Sequence, residues 1–253
     1  MKYDRLQNMS EYVSRKDFVS LDELCAVFEV SKNTVRRDVT ELVSQGFIEK
    51  VYGGVRTITQ YSDVLITFSE RARKYAAEKE YIAEIAARHV KDNDVIFIDS
   101  GTTTLLMLPH IRQCSNITLL TNNLHVINQC IAYPGLKTIA FGGQLNTKTA
   151  SFSANYCAMD NLRSFNIMKA FMAATGVSIE KGATNSSLEE RTIKASIVQQ
   201  SDTCFLLADA TKFGHSALLT YADLSRFQHV ITNRKPPTEY VEYFKSRGTL
   251  LAY

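Results

Sequence analysis

A chain of 253 residues, 45% hydrophobic and 22% charged, has room for one or two cored domains and is too apolar for a disordered tail. The formal net charge of +3 excludes little, and acidic and basic side chains balance over residues 1–56, so a nucleic-acid argument must rest on where the basic residues point. No apolar run approaches the roughly 18 residues that span a membrane, and the start carries no secretory h-region, so a cytoplasmic protein without membrane contact is expected.

The first predicted element is a helix from about Tyr3 to Ser14, with Leu6, Met9 and Val13 on one face. Ser20 and Glu23 form a capping box that opens a second helix, whose apolar face is Leu21, Leu24, Cys25 and Phe28. After a turn at Glu29-Val30, Ser31 caps a third helix, Lys32 to Gln45, stopped by Gly46. Two strand-like runs flank Gly53-Gly54 and read as a β-hairpin. Three helices and a hairpin make the pattern of a winged helix-turn-helix.

In the third helix, Val35, Val39 and Leu42 fall within about 60° of each other and form the buried stripe. Asn33 and Arg37 lie opposite, with Arg36 on a flank and Lys32 in the first turn. Arginine reads guanine and asparagine reads adenine in the major groove. The expected partner is therefore double-stranded operator DNA, read by Ser31, Lys32, Asn33, Thr34, Arg36 and Arg37, with Lys50, Tyr52, Gly53 and Gly54 of the hairpin beside the backbone. The competing reading makes Arg36-Arg37-Asp38 a solvated face with local ion pairs, each worth only tenths of a kcal/mol.

Residues 59–75 read as a linker between a DNA-binding domain (1–58) and a second domain (76–253). In the second domain, strand candidates at 95–98, 117–121, 136–141, 168–174, 203–208 and 229–232 alternate with helix-like segments, the signature of an α/β fold with a largely parallel sheet. Val95-Ile96-Phe97-Ile98 runs into Asp99-Ser100-Gly101-Thr102-Thr103-Thr104, a strand, a small-residue loop and a helix start. Such a turn aims backbone N–H groups and hydroxyls at an anion. Asp99, Thr121, Gly142, Thr175 and Asp209 all follow strand ends, where ligands of parallel sheets bind.

The order of motifs resembles the DeoR family of bacterial transcriptional regulators. The residues that carry it are Val30-Ser31-Lys32-Asn33-Thr34-Val35-Arg36-Arg37-Asp38, Tyr52-Gly53-Gly54-Val55, Glu70-Arg71, Lys79, Asp99 to Thr104, Thr121-Asn122-Asn123, Gly142-Gly143, Gly176, Gly182-Ala183-Thr184 and Asp209 to Gly214. Tyr52 stands where the family usually has histidine, Val55 where it has alanine, and Ala154 where many members have glycine. The N-terminal stretch most resembles the inositol-operon type of repressor. The resemblance implies a second domain that senses a phosphorylated sugar or polyol and looks like ribose-5-phosphate isomerase. It adds Asn122, Gly142, Gly143, Gly176, Glu189, Lys194 and Lys212 to the expected effector-binding set, and it implies a homo-oligomer (dimer or tetramer) that leaves its operator when the effector binds.

Glu189, Lys194 and Lys212 also suit a sugar-phosphate isomerase, which needs a carboxylate base and a cation beside an enediolate. No sharp catalytic motif accompanies them, and an N-terminal DNA-binding module has no place in such an enzyme. An activator of the same architecture is the other alternative. The five cysteines (25, 114, 130, 157 and 204) lack C-x-x-C spacing and the five histidines lack H-x-x-x-H spacing, so neither a metal nor a cofactor is expected.

Overall fold

A computed structural model describes residues 5–6, 8–9, 12–13, 16, 18–44, 48–57, 67–154, 162 and 164–253. The chain divides into two compact units, Met1–Leu65 and Ile66–Tyr253. Gly46, Ile58 and most of the first predicted helix lie outside the described residues. Among the described residues no helix is long and apolar enough to cross a membrane.

In the first unit, β1 (Val19–Ser20) leads into α1 (Leu21–Phe28) and α2 (Lys32–Ser44), followed by β2 (Ile48–Val51) and β3 (Gly54–Thr57). Ser20 caps α1 by accepting from the Glu23 N–H at 3.1 Å. The reciprocal half of the expected capping box is absent: the Glu23 carboxylate takes the Tyr12 hydroxyl at 2.7 Å and the Lys16 ammonium at 2.5 Å. Glu29 ends α1 with φ 50°. Leu6, Met9, Val13, Leu24, Val35, Val39 and Leu42 fill one core, as the helical spacing predicts. The hairpin pairs Val51 with Gly54 across Tyr52-Gly53, and Gly53 closes that loop at φ +84°. β1 adds a third strand at the far edge of β3, which the sequence reading did not foresee.

The second unit opens with α3 (Phe68–Arg73) and α4 (Ala76–Ala87). Residues 67–75, assigned to the linker from sequence, are therefore mostly helix. The Thr67 hydroxyl accepts from Glu70 N–H while the Glu70 carboxylate accepts from Thr67 N–H at 2.8 Å, a complete capping box. Phe68 is buried, so the polar residues before it mask a segment anchored by one aromatic side chain.

A seven-stranded, all-parallel sheet follows, built from β4 (Val95–Ile98), β5 (Ile117–Thr121), β6 (Leu136–Ala140), β9 (Lys169–Ala173), β12 (Thr203–Leu207), β14 (His229–Ile231) and β15 (Leu250–Ala252). The spatial order is β15-β14-β12-β9-β4-β5-β6. Successive residues of each strand bury into opposite faces. Phe97, Leu120, Met172 and Leu206 enter one core with α8 (Leu188–Gln200) and α9 (Thr238–Ser246). Ile96, Ile98, Leu119, Phe171 and Phe205 enter another, with α4, α5 (Thr102–Leu105), α6 (Leu108–Ile111) and α7 (Leu124–Cys130). Burial on both faces explains why the strands read as continuous apolar runs.

Two smaller antiparallel sheets escaped the sequence reading: the hairpin β7 (Gly143–Asn146) with β8 (Ser151–Ala154), and the trio β10 (Gly176–Ser178), β11 (Gly182–Asn185) and β13 (Leu219–Ala222). Their residues are small and polar, so they carry little β-strand signal.

Candidate functional site

In α2 the buried stripe turns Ser31, Lys32, Asn33, Arg36 and Arg37 outward, and all five are exposed. Ser31 caps the helix, its hydroxyl accepting from Thr34 N–H at 3.2 Å and lying 2.9 Å from the Thr34 hydroxyl. Asp38 is 1% exposed and takes Arg5 in a two-pronged contact at 2.7 and 3.3 Å. The reading of Arg36-Arg37-Asp38 as a self-paired surface therefore fails at Asp38, which points inward. Among the described residues neither Arg36 nor Arg37 has a carboxylate partner. Lys32 is held by Asp22 at 2.6 Å and Lys50 by the Thr40 hydroxyl at 3.0 Å.

At the hairpin tip Tyr52 is fully exposed. Gly54 faces inward instead: an added Cβ would lie 2.3 Å from the Val19 carbonyl oxygen. Its glycine is a packing requirement of the β1–β3 pairing, not a sign of contact with a ligand.

In the second unit the chain runs from β4 through β5 to β6 on one side, then returns to β9 on the other side of β4. The crevice beyond the carboxyl ends of β4 and β9 is thus the point where strand order reverses, the usual ligand position in open α/β sheets. Asp99 stands there, 1% exposed. Its carboxylate accepts from the Ala173 N–H at 2.9 Å and from the Lys194 ammonium, tying the end of β4 to β9 and α8. Lys194, 4% exposed, also donates to the Ala173 carbonyl at 3.0 Å and lies 5.3 Å over the Tyr221 ring. Burial and the nearby Asp99 charge push the Tyr221 hydroxyl well above the usual phenol range, so it stays a donor, to the same Ala173 carbonyl at 3.0 Å.

Ser100, Gly101, Thr102, Thr103 and Thr104 follow Asp99, all buried. Gly101 precedes α5 with no side-chain cap, so the first N–H groups of that turn remain open to an acceptor. A Cβ on Gly101 would sit 2.4 Å from the Ala173 Cβ, which enforces the close approach of the turn to β9. Thr104 closes the turn on the carbonyls of Asp99 and Gly101 at 2.8 and 2.9 Å.

Glu190, which the sequence reading missed, joins this turn. Its carboxylate accepts from the Ser100 hydroxyl at 3.0 Å and the Ser151 hydroxyl at 3.1 Å, and Thr149 lies 2.8 Å from Ser151. Glu189, the residue expected there, is exposed and accepts from Ser187 at 2.6 Å, which lowers its pKa. The signal was available: Glu190 and Lys194 are four apart and share a helix face, whereas Glu189 and Lys194 do not. An open recess of about 160 Å³ lies beside the cluster, lined in part by Ser151, Phe152, Ser187, Glu189 and Glu190.

Thr121 and Asn122 end β5, both buried. Thr121 donates to the Ile98 carbonyl at 2.7 Å and Asn122 donates to the Phe152 carbonyl at 3.0 Å. Asn122 Oδ1 and Asn185 Oδ1 are buried without a hydrogen-bond partner, an arrangement that costs about 1–3 kcal/mol per group while it lasts.

Other expected positions lie apart from this cluster. Gly142 and Gly143 are exposed between β6 and β7. Gly176 is buried at the start of β10, where a Cβ would fall 2.6 Å from the His215 carbonyl oxygen, so its role is packing. Asp209 follows β12 and caps a short 3-10 turn ending at Lys212. Ala154 sits in strand register with Gly143, so its backbone does not demand the glycine common in the family.

Residues 5–61 match the DeoR-like helix-turn-helix domain and residues 74–234 the DeoR C terminal sensor domain. The chain is 45% identical over 246 residues to the HTH-type transcriptional regulator IolR of Bacillus subtilis (strain 168), covering 96% of both chains. It is 27% identical over 238 residues to the glycerol-3-phosphate regulon repressor of Escherichia coli (strain K12), covering 94% of this chain and 93% of that one. Among solved structures, a D-ribose-5-phosphate isomerase in complex with phospho-erythronic acid overlaps at a TM-score of 0.40 and 16% identity, over 53% of this chain and 52% of that chain. With both domain types matched in sequence over most of its length, the chain belongs to the DeoR family of transcriptional regulators.

Proposed function

We propose that this regulator represses a carbohydrate-catabolism operon and is released from its operator by a phosphorylated sugar or polyol. The observation that carries the sensing half is the Ser100–Thr104 turn, anchored from behind by the buried Asp99–Lys194 pair and open at its helix start. A phosphate there meets backbone donors and threonine hydroxyls on a rigid base. Arg36 and Arg37, exposed beside the α2 start, supply the reading groups for DNA. The protein acts in the cytoplasm as a homo-oligomer, a dimer or tetramer, because one recognition helix gives too little contact and symmetric copies read repeated half-sites. The effector acts by favouring the arrangement that binds DNA less well. Kinship to named repressors supports this sign.

The test is fluorescence anisotropy of upstream DNA with full-length protein, titrated with phosphorylated sugars and polyols. Expected is tight binding that weakens steeply with salt and is reversed by a subset of the phosphates. Thr102→Asp, which puts a carboxylate at the phosphate position, should keep operator binding and lose the release. Normal release in that variant refutes the assignment of the turn.

A further inference from the structure

We propose that Glu190 reads the end of the effector remote from its phosphate, and that the site selects phosphorylated polyhydroxy compounds whose far end carries no charge. The inference rests on the phosphate-turn reading above and adds the chemistry of the tail.

The two sides of the site differ in kind. The α5 start offers donors. Beyond Ser100 the groups are acceptors. Glu190 Oε1 takes the Ser100 and Ser151 hydroxyls, and Glu189 lines the same recess. Asn122 and Asn185 are 2% and 1% exposed. Each spends its Nδ2 on a backbone carbonyl of a recess-lining residue, Phe152 at 3.0 Å and Ser187 at 2.7 Å. That fixes both amides with their oxygens as the unpaired atoms. Carboxylate and carboxamide oxygens need hydrogen-bond donors, and the hydroxyls of a polyol or ketose supply them. A second phosphate or a carboxylate supplies only acceptors and a like charge. Lys194 does not offset that charge, because its ammonium is committed to Asp99. Selection against acids is therefore built from repulsion as well as from attraction to hydroxyls.

The test compares two probes on the full chain by isothermal titration calorimetry. Sorbitol 6-phosphate and 6-phosphogluconate share their carbon chain and phosphate and differ at the far carbon, hydroxymethyl against carboxylate. The wild type should favour sorbitol 6-phosphate by about tenfold or more, as expected for a like-charge clash. Glu190→Gln keeps an amide oxygen for the two serines and removes the charge, so the preference should shrink severalfold through tighter binding of the acid. A wild-type preference for the acid, or an unchanged ratio in Glu190→Gln, overturns the proposal; the wild-type result stands even if the variant fails to fold. If neither probe binds the wild type better than it binds Thr102→Asp, the phosphate-turn reading fails, and this inference with it.

Discussion

The sharpest stability test of the sensor is Lys194→Met, which keeps most of the aliphatic stem and deletes the ammonium. Side-chain exposures of 5% for Lys194 and 1% for Asp99 mean that water cannot replace the lost partner. Asp99 would keep the Ala173 N–H at 2.9 Å and the Ser100 hydroxyl at 3.4 Å, too little to solvate a full charge. Removing one member of a buried pair costs about 3–5 kcal/mol. In a unit of this size each kcal/mol lowers Tm by about 2–4 °C, so a fall of about 6–20 °C is expected. Calorimetry of the full chain, with the second unit's transition fitted separately, reads the loss. The double variant Asp99→Asn with Lys194→Met removes both charges and should recover to within about 1–2 kcal/mol of the wild type, because a matched uncharged pair no longer strands an ion. A single variant within about 1 kcal/mol of the wild type would show that solvent reaches the pair, and the account of a turn closed from behind would be refuted.

Arg37→Ala should weaken operator binding by about 1–3 kcal/mol in the anisotropy assay and leave the second unit's transition unchanged; unaltered affinity would remove the exposed face of α2 from the groove. The stability of the second unit should also fall in mild acid. His89 and His229 lie 5.0 Å apart against Phe205, and burial holds both imidazoles below their usual range. The folded state thus favours the neutral rings. Their contribution is complete above about pH 6.5 and is lost as pH falls through the folded values, because the unfolded chain takes up protons first. Scanning calorimetry from pH 7.5 to 5 should show a falling Tm that His89→Phe flattens, and equal slopes in both proteins would refute the attribution.

The parallel sheet was legible because its strands are apolar on both faces and its helices fall between them. The α2 stripe was legible because Val35, Val39 and Leu42 repeat at helical spacing and nothing else competes for that face. Periodicity could not reveal the β7–β8 and β10–β11–β13 sheets, whose Gly, Ser, Thr and Asn residues are specified by long-range pairing. The site was legible where a local motif makes it, from Asp99 to Thr104. It was missed where the partner arrives from far along the chain: Glu190 meets Ser100 across 90 positions, and only its register with Lys194 hinted at that face. Asp38 misled for a related reason. A charged residue beside two arginines looks like surface, and its burial is visible only once Arg5 is brought to it.

Glu190 and Lys194 share one face of α8, one helical turn apart, so ligand choice and structural integrity depend on the same short stretch of chain. Mutations that shift this helix to admit a new effector would disturb the anchor of the turn as well, and selection would see the two effects together. Ser151 and Thr149 lie on the β7–β8 hairpin and touch the cluster without bearing on the Asp99 pair. Diversification of effector preference in this lineage should therefore accumulate on the hairpin side of the recess, while the helix side stays constrained.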